Sequence, residues 1–330
     1  MRIIAPLHFN NHLPVLPDAV TWGIRIPRIP KTFRLVRATS EGLASLMMRI
    51  FRPNIVHETY YSESAYAPKG ARRVITVYDM VSERFPEEFG GSQFTATKKV
   101  AVLRADHVLC ISESTRRDLI ELFGLAAERT SVVYLGYDNL VPPAHADIRR
   151  PTATRPYLLY VGSRGGYKNF AALMRAFASS DYLRSGFSVM CFGGGAFSPD
   201  ELALFRHLQL SGEHVSQIGG GDEMLASMYK NAAAFVYPSL YEGFGIPPLE
   251  AMSLGCPVIC GNTSSIPEVV GDAGEYFDPS EPESMRIAIE AVLQSTSLSN
   301  DLVAKGHVRR ALFSWERCAR ETLDVYRSIL

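Results

Sequence analysis

The chain has 330 residues, of which 47% are hydrophobic and 21% charged, and its formal net charge is +0. This length is typical of two domains of ordinary size, and the composition is that of a folded globular protein. A chain without net charge has no global field to attract nucleic acid, so we expect no nucleic-acid partner. No apolar stretch in the sequence reaches the roughly eighteen residues that a membrane-spanning helix needs.

The five cysteines, at positions 110, 191, 256, 260 and 318, have neither the even number nor the spacing of a disulfide framework. Cys256 and Cys260 flank a short apolar run with no histidine nearby, which favours small buried residues over a metal site. We therefore predict no metal centre, and a reducing, cytoplasmic location.

Short runs rich in valine, isoleucine and aromatic residues alternate along the chain with segments of helical length. The predicted strands are residues 2–7, 55–61, 73–80, 107–112, 131–136, 157–163, 187–195, 215–219, 233–239, 257–261 and 274–278. Between them, apolar residues recur at three- and four-residue spacing, which is typical of amphipathic helices. This alternation predicts an α/β protein with parallel sheets and helices on both faces.

A segment with four prolines, residues 139–156, interrupts the alternation and separates about five predicted strands from six. We therefore predict a first domain at 1–140, a linker at 141–156 and a second domain at 157–314. A last helix, at about 315–330, follows the second sheet, and we expect it to pack back on the first domain. Two doubly wound domains would then face a cleft, with ligands at the carboxyl ends of the strands.

Two glycine turns in the second domain follow predicted strands. The first contains Gly162 and Ser163, and the cations Arg164 and Lys168 precede a helical pattern. Two cations beside the N–H groups of a starting helix suit a diphosphate, whereas solvated loop charges are the alternative. The second turn has three glycines with Gly194 at its centre, and it predicts either close backbone approach to a ligand or a plain flexible turn.

Two glutamates bracket a third glycine turn. Glu242 follows a predicted strand, and Glu250 lies where Pro247 predicts the first position of a helix. An acid in the first turn would stabilise that helix by about 0.3–1 kcal/mol, which is a sufficient structural reason for Glu250. Glu242 has no such reason, and a carboxylate past a strand end can bind hydroxyl groups or transfer protons.

The segment 238–252, Pro-Ser-Leu-Tyr-Glu-Gly-Phe-Gly-Ile-Pro-Pro-Leu-Glu-Ala-Met, resembles the signature of retaining glycosyltransferases of family 4, also described as glycosyl transferases group 1. Residues 255–259 and 264–274 continue this match, and residues 161–169 resemble the phosphate loop of the family. The resemblance covers most of residues 55–330, and it is stronger in the second domain than in the first. Among the family, the chain is most like mannosyltransferases.

The resemblance implies the GT-B fold, with two Rossmann-like domains and the active site between them. It implies a nucleotide-diphosphate sugar whose diphosphate lies at Arg164 and Lys168, whose ribose lies at Glu250 and whose sugar lies at Glu242. The implied donor-binding residues are Gly162, Ser163, Arg164, Lys168, Gly194, Glu242, Gly243, Phe244, Gly245, Ile246 and Glu250. Because the sequence contains no Asp-x-Asp, we expect no metal-bridged diphosphate and no cofactor beyond the donor.

The implied reaction is hexosyl transfer with retention, in surface polysaccharide synthesis, to a glycan or lipid-linked acceptor. A front-face mechanism is favoured over a covalent intermediate. GDP-mannose is the first expectation for the donor, followed by a UDP-hexose or a dTDP-deoxysugar. Two alternatives are a nucleotide-sugar-binding protein without turnover and a GT-B nucleotide-sugar epimerase.

The acceptor side is expected at two strand ends of the first domain. Tyr78 and Asp79 stand where the family often has His-Asp. Tyrosine is a poor base at neutral pH, so Asp79 is the better candidate for acid–base or orienting work, with Glu242, Arg164 and Lys168 completing the catalytic set. A strand-end hydrogen bond is the alternative role. His57, at the preceding strand end, is either an acceptor contact or a core histidine.

The beginning of the sequence departs from the family pattern of a strand, a Gly-Gly loop and a long helix. Residues 1–12 look like the second strand of the family and its exit. We therefore expect the first strand–loop–helix unit to be missing, through truncation, a misassigned start or natural reduction.

A basic stretch follows, between Arg25 and Arg52, in which Glu41 is the only acid. The basic residues are Arg25, Arg28, Lys31, Arg34, Arg37, Arg49 and Arg52. With apolar residues at helical spacing, this stretch predicts either peripheral contact with the anionic inner face of a membrane or a solvated basic helix face.

Overall fold

The computed structural model describes residues 2–9, 13, 21–27, 32–89, 93–141 and 155–330. Most of the predicted linker at 141–156 lies outside these residues, as do Arg28, Lys31 and the predicted strand exit at 10–12. The side chains of Arg34 and Arg37 are likewise outside the description. Among the described helices, none is long and apolar enough to cross a membrane.

Strands and helices alternate as predicted. The strands are β1 (Ile3–His8), β2 (Thr21–Arg25), β3 (Ile55–Glu58), β4 (Arg72–Val77), β5 (His107–Cys110), β6 (Thr130–Val132), β7 (Tyr157–Val161), β8 (Ser188–Phe192), β9 (Val215–Ile218), β10 (Ala234–Tyr237), β11 (Val258–Gly261) and β12 (Gly274–Phe277). The helices are α1 (Phe33–Phe51), α2 (Val81–Arg84), α3 (Pro86–Phe89), α4 (Gln93–Arg104), α5 (Glu113–Phe123), α6 (Phe170–Ala178), α7 (Asp181–Gly186), α8 (Pro199–His207), α9 (Asp222–Asn231), α10 (Ile246–Ser253), α11 (Ile266–Val270), α12 (Pro282–Gln294), α13 (Thr296–Arg310) and α14 (Trp315–Ile329).

Strand β2 was not predicted, because Gly23 interrupts its apolar run and glycine is disfavoured in strands. The structure supplies the reason for that glycine. A Cβ atom at Gly23 would lie 1.9 Å from the carbonyl oxygen of Ala5 in the neighbouring strand β1. The close approach of β1 and β2 therefore requires a residue without a side chain.

The second domain is built on one six-stranded sheet in the order β12-β11-β10-β7-β8-β9, and every pair of neighbours is parallel. Successive strands are added outward from β7 in one direction and outward from β10 in the other. This is the doubly wound Rossmann arrangement, and its switch point lies between β7 and β10. The loops that leave the carboxyl ends of these two strands therefore border the crevice in which such sheets bind ligands.

Both faces of this sheet are buried. Leu158 and Val236 point into one apolar cluster, whereas Leu159 and Phe235 point into the other, and all four are fully buried. Each such side chain contributes about 1.5–3 kcal/mol by leaving water. The unbroken apolar runs that predicted β7 and β10 thus follow from a parallel sheet with helices on both sides.

The first domain contains a four-stranded parallel sheet in the order β3-β4-β5-β6, and β1 and β2 pair as a separate parallel sheet. Helix α14 packs on the four-stranded sheet, where Tyr326 and Ile329 contact a cluster that contains Val74 and Leu109. Helix α14 therefore returns to the first domain and packs against that domain's core.

The two domains also meet through polar contacts. The Tyr241 hydroxyl donates to Asp118 Oδ2 at 2.6 Å, and Thr115 Oγ1 donates to the Gly243 carbonyl oxygen at 3.3 Å. Both contacts come from the segment after β10 and reach helix α5. The glycine turn that follows β10 is therefore held against the first domain.

Glu268 makes a second contact between the domains. Its two carboxylate oxygens accept hydrogen bonds from the backbone N–H groups of Glu113 and Ser114, at 2.7 and 2.6 Å. These groups begin helix α5, where an unpaired N–H and the positive end of the helix dipole favour an anion. A side chain of one domain thus caps a helix of the other.

Candidate active site

An ion pair joins the loops that follow β7 and β10. Lys168 Nζ lies 2.7 Å from Glu242 Oε1, and the two side chains are only 19% and 11% exposed. The ammonium group also lies 5.1 Å from the ring centroid of Tyr167 and 6.0 Å from that of Tyr237. A largely buried charged pair at the switch point of a doubly wound sheet is typical of a functional site.

Two serines fix the turn that carries Glu242. The Glu242 N–H donates to Ser264 Oγ at 2.9 Å, and Ser265 Oγ donates to the carbonyl oxygens of Glu242 and Phe244, both at 2.8 Å. Because Ser265 is fully buried, these bonds are shielded from water. No role was predicted for either serine, although both belong to the segment 264–274 that extends the family signature.

Gly243 brings the first domain to this turn. A Cβ atom at Gly243 would lie 2.0 Å from the Tyr78 carbonyl oxygen and 2.9 Å from Asp79 Cβ. Gly245 has a different reason to be glycine, because its φ of 120° is a conformation that other residues rarely adopt. Tyr78 and Asp79 of the first domain therefore lie against the turn that carries Glu242.

Phe244 and Ile246 complete this turn. Phe244 is buried, and its ring centroid lies 6.0 Å from that of Tyr134 and 5.7 Å from that of Phe313. Ile246 is partly buried in the same apolar cluster. Both side chains serve packing, so any contact from these two residues to a ligand would come from their backbone groups.

Helix α10 begins at Ile246, so Pro247 is its second residue and Glu250 lies in its second turn. The prediction that Pro247 opens the helix and that Glu250 lies in the first turn is therefore wrong, because the helix starts directly after the unusual φ of Gly245. The helix-dipole explanation for Glu250 is lost with it. Glu250 Oε2 instead accepts a hydrogen bond from the Tyr229 hydroxyl at 3.0 Å.

Burial raises the pKa of Glu250 above its ordinary value. The hydrogen bond from Tyr229 lowers this pKa, but the nearby carboxylates of Asp222 and Asp138 raise it further, and the net shift is upward. Among the described residues, only Tyr229 donates a hydrogen bond to this carboxylate. Glu250 Oε1 thus retains acceptor capacity towards a ligand.

Arg164 is engaged within the protein. Its Nε donates to Glu201 Oε1 at 2.6 Å, and its side chain is only 3% exposed. Burial alone would raise the pKa of Glu201, but the Arg164 hydrogen bond and the Ser198 N–H hold it below its ordinary value. Arg164 Nη1 donates to the carbonyl oxygen of Gly193, and Nη2 lies within hydrogen-bond distance of Glu201 Oε2 and of the carbonyl oxygens of Gly194, Gly195 and Ala196.

The glycine turn after β8 is shaped around this guanidinium. Gly194 has a φ of 71°, and a Cβ atom there would lie 2.5 Å from Arg164 Nη1 and 2.9 Å from the Gly162 carbonyl oxygen. Gly162 itself has a φ of 121°. Arg164 therefore braces the two glycine turns, whereas Lys168 is the cation that stands beside Glu242. Ser163, next to Gly162, is exposed.

Asp79 contacts a buried lysine, Lys98. Lys98 has no exposed side-chain surface, and its ammonium donates to the Asp79 carbonyl oxygen at 3.1 Å, to Ser82 Oγ at 3.2 Å and to Glu83 Oε2 at 2.8 Å. The Asp79 Oδ1 atom lies 3.7 Å from the same ammonium and accepts the Val81 N–H at 3.1 Å. Lys98 was not predicted, because a lysine in a helical segment gives no sign of burial.

Three carboxylates from both domains lie near Tyr167. Burial raises the pKa of Tyr167 to about 12, with further contributions from Glu242, Asp79 and Glu88. Glu88, in helix α3 of the first domain, lies so close to Gly166 that a Cβ atom there would be 2.0 Å from its carboxylate. The first domain therefore reaches over the loop that carries Lys168.

In the described ranges, no group of three or more His, Cys, Asp and Glu residues could hold a metal ion.

Two family models match this chain. The model described as glycosyl transferases group 1 matches residues 144–309, and the one described as Glycosyltransferase Family 4 matches residues 5–139. The chain belongs to the glycosyl transferases group 1 family. The predicted family 4 membership is thereby confirmed, and the protein is a glycosyltransferase.

Several relatives of this glycosyltransferase are named mannosyltransferases. O-antigen chain mannosyltransferase B from Escherichia coli is 29% identical over 315 residues, which are 92% of this chain and 81% of that protein. Serotype-specific mannosyltransferase WbdA from Escherichia coli is 26% identical over 293 residues, which are 83% of this chain and 36% of that protein. This chain therefore spans only about a third of the length of WbdA, but most of the length of the first relative.

A solved structure agrees with the predicted GT-B fold. The sucrose-phosphate synthase (tll1590) from Thermosynechococcus elongatus superimposes with a TM-score of 0.75 at 22% identity, and the match covers 99% of this chain and 87% of that chain. The prediction of a GT-B fold is therefore confirmed.

The remaining predicted residues of the glycosyltransferase lie on the first domain. His57 contacts the Tyr326 hydroxyl through Nδ1 and Thr76 Oγ1 through Nε2, and burial lowers its pKa to about 4. These partners are of the kind expected for a core histidine. Burial also raises the pKa of Tyr78, so this hydroxyl stays protonated at neutral pH and cannot act as a base there.

Proposed function

We propose that this glycosyltransferase moves a hexosyl unit, with mannose from GDP-mannose as the first expectation, to a glycan or lipid-linked acceptor of a surface polysaccharide. The observation that carries the proposal is the pair of Lys168 and Glu242, which bridges the exits of β7 and β10 at the switch point. The names of the relatives support mannose as the sugar and O-antigen synthesis as the setting.

In the proposed donor complex, the diphosphate lies at Lys168 and at the start of helix α6. This helix has no side-chain cap, so its first N–H groups are open to an anion. The backbone of Gly162, Ser163 and Gly194 would line the same position. Arg164 would act through the glycine turns that it braces, as a positioning residue.

The two glutamates would hold the other parts of the donor. Glu250 Oε1 would accept the ribose hydroxyls while Tyr229 holds Oε2. The diphosphate would replace Glu242 as the partner of Lys168, which leaves the Glu242 carboxylate for the hydroxyls of the transferred sugar. The ion pair of Lys168 with Glu242 would thus be exchanged for two contacts with the donor, one to its diphosphate and one to its sugar. The backbone of Gly243, Phe244, Gly245 and Ile246 would lie close to the same sugar.

The proposed chemistry retains the anomeric configuration. The acceptor oxygen attacks the anomeric carbon from the face that the nucleotide leaves, and the departing phosphate oxygen takes the proton of the acceptor. Lys168 and the N–H groups of α6 would stabilise the negative charge that grows on the phosphate. Asp79 would orient the acceptor hydroxyl. Because these groups supply the positive charge, we expect transfer to continue in the presence of a metal chelator.

The experiment that tests this proposal is a donor panel with product analysis. GDP-mannose, UDP-hexoses and dTDP-deoxysugars are each incubated with the protein, with and without saccharide acceptors, and the sugar products and their anomeric configuration are determined. Transfer from GDP-mannose with retention supports the proposal. Epimerised donor without acceptor, or binding by calorimetry with neither transfer nor hydrolysis, would replace it by one of the two alternatives.

We also propose peripheral contact with an anionic membrane through the basic stretch between Arg25 and Arg52. Helix α1 carries exposed Leu35, Leu46 and Ile50 on one face, and exposed Arg49 lies beside them. An apolar stripe flanked by cations suits the interface of an anionic bilayer. Cosedimentation with phosphatidylglycerol vesicles, but not phosphatidylcholine vesicles, tests the contact, and Leu46→Glu should abolish it.

A further inference from the structure

Three aromatic rings, Tyr60, Tyr61 and Phe94, form a cluster on the first domain, which we call the aromatic platform. The ring centroids of Tyr60 and Tyr61 are 5.1 Å apart, and Phe94 lies 6.1 Å from the first and 5.5 Å from the second. Tyr61 is buried, but Tyr60 is 63% and Phe94 36% exposed. Two exposed aromatic side chains thus pack against a buried third ring.

The platform adjoins the cleft. Strand β3 was predicted to run to residue 61 but ends at Glu58, so Tyr60 and Tyr61 lie past a carboxyl end of the first sheet. The Tyr61 hydroxyl accepts the Tyr78 N–H at 3.4 Å, and Tyr78 contacts the Gly243 turn. A ligand on the platform would therefore be continuous with the proposed position of the reacting acceptor hydroxyl at Asp79.

A buried cation lies beside two of the three rings of the platform. Lys98 Nζ lies 5.5 Å from the ring centroid of Tyr61 and 5.4 Å from that of Phe94. The same ammonium donates to the Asp79 carbonyl oxygen. One desolvated charge therefore links Tyr61 and Phe94 of the platform to the backbone of Asp79.

A polar rim lies beside the rings. Glu63 Oε1 accepts hydrogen bonds from Gln93 Nε2 at 2.5 Å and from Thr97 Oγ1 at 3.0 Å, and Arg104 donates to the Glu63 carbonyl oxygen at 2.8 Å. These contacts are exposed, so the carboxylate, the amide and the hydroxyl are accessible to a ligand. Apolar ring faces with a few convergent polar groups suit a ligand that is apolar on one face and hydroxylated at its edge.

We propose that the aromatic platform is a subsite for a saccharide of the acceptor. Sugar rings would stack their C–H faces on Tyr60 and Phe94, because the electron-rich ring face attracts the partly positive hydrogens. Their hydroxyls would bond to Glu63 and Gln93. A lipid chain would make no use of this rim, and the Glu63 carboxylate disfavours a phosphate group. The inference rests on the proposed function, since it names where the acceptor of that reaction is held.

The first test measures binding without catalysis. Saturation-transfer NMR is recorded with α-mannotriose and with maltotriose at roughly 10 mM, which populates a site of millimolar affinity. We expect saturation of the sugar protons of at least one trisaccharide in the wild type, and a Kd raised about threefold to tenfold in Tyr60→Ala and in Phe94→Ala. Tyr182→Ala, at a second-domain tyrosine that is 39% exposed, is the matched control and should bind like the wild type.

The second test measures transfer to the same trisaccharides. The acceptor KM should rise about threefold to tenfold in Tyr60→Ala while kcat changes by less than about twofold. Unchanged KM in an enzyme that transfers sugar would overturn the platform but leave the proposed function standing. If both variants lose saccharide binding and the wild type transfers sugar from no donor, the platform would stand and the proposed function would fail. No saturation transfer from the wild type to either trisaccharide, or equal binding by all variants, would also overturn the inference.

Discussion

Gly243 of the second domain and Tyr78 of the first are so close that a Cβ atom on the glycine would lie 2.0 Å from the tyrosine carbonyl oxygen. No side-chain rotation relieves such an overlap, because the obstructing atom belongs to the backbone. The closed arrangement of the two domains at the cleft therefore depends on this glycine.

The first prediction concerns Gly243→Ala. The added methyl group should force Tyr78 and Asp79 away from the Glu242 turn, and a displacement of about 1 Å at reacting groups can lower the rate roughly 10²-fold. We expect transfer to fall by about this factor while calorimetry still detects donor binding to the second domain. Gly212→Ala is the control, because a Cβ atom there meets no atom within 4 Å. Wild-type transfer by Gly243→Ala would show that catalysis does not require the close approach of Gly243 and Tyr78.

The second prediction separates the two members of the ion pair. Lys168→Met removes the cation and should raise the Kd of GDP about 10-fold to 100-fold, because a charge-assisted contact is lost. Glu242→Gln should instead bind GDP as tightly as the wild type or more tightly, since the nucleotide no longer competes with Glu242 for Lys168. The same variant should lose transfer by about 10²-fold or more.

The control for these variants is Lys305→Met, which breaks the exposed pair of Lys305 with Asp301 and should change neither GDP affinity nor transfer. Isothermal titration with GDP and a radiolabelled transfer assay provide the two measurements. Weaker GDP binding by Glu242→Gln would show that Glu242 assists the nucleotide and not the sugar.

The residues that the sequence predicted well are those whose neighbours along the chain set their positions. The apolar runs of β7 and β10 required burial on both faces, and the glycine turns after β7, β8 and β10 required backbone conformations that few other residues adopt. Local pattern was sufficient in each case, because the cause lies within a few residues of the effect.

Partners that are distant in the chain were not predictable in this way. Arg164 and Lys168 stand four residues apart in one cationic loop, yet the first is buried against Glu201 and the second faces Glu242. Sequence spacing shows that both are near the strand exit, but only the folded arrangement decides which carboxylate each one meets. The same holds for His57, whose partner Tyr326 belongs to the last helix.

The third prediction concerns the buried lysine beneath Asp79. Lys98→Met should lower the free energy of unfolding by about 3–5 kcal/mol, because it leaves Glu83 buried without its cation. Urea denaturation measures this change. Lys99→Met, at the exposed neighbouring position, removes a cation–π contact with Phe123 and should change the free energy of unfolding by less than about 1 kcal/mol.

A double variant, Lys98→Met with Glu83→Gln, should recover part of the loss, since it removes both charges together. If Lys98→Met alone were as stable as the wild type, the ammonium would not be the partner that holds Glu83 and Asp79 in place.

The fourth prediction concerns the pH dependence of stability at His57. Its pKa falls from 6.5 to about 4 on folding, because burial disfavours the protonated ring. The unfolded chain therefore binds the extra proton first, so the stability that neutral His57 contributes is complete above pH 6.5 and is lost as the pH falls towards 4. The full difference in the free energy of unfolding would be about 3–4 kcal/mol, at about 1.4 kcal/mol for each pKa unit.

Denaturation curves recorded between pH 7 and pH 4 for the wild type and for the variant His57→Gln test this predicted loss of stability. The free energy of unfolding of the wild type should fall more steeply with acidification than that of the variant, because only the wild type has an imidazole at position 57 to protonate on unfolding. The carboxylates that titrate in the same pH range are common to both proteins, so their effect cancels in the comparison. Tyr326→Phe keeps the imidazole and should retain the steep slope, although it removes the hydroxyl that contacts Nδ1. Parallel curves for the wild type and His57→Gln would mean that this histidine is as accessible to protons in the folded protein as in the unfolded chain, and that helix α14 does not shield it.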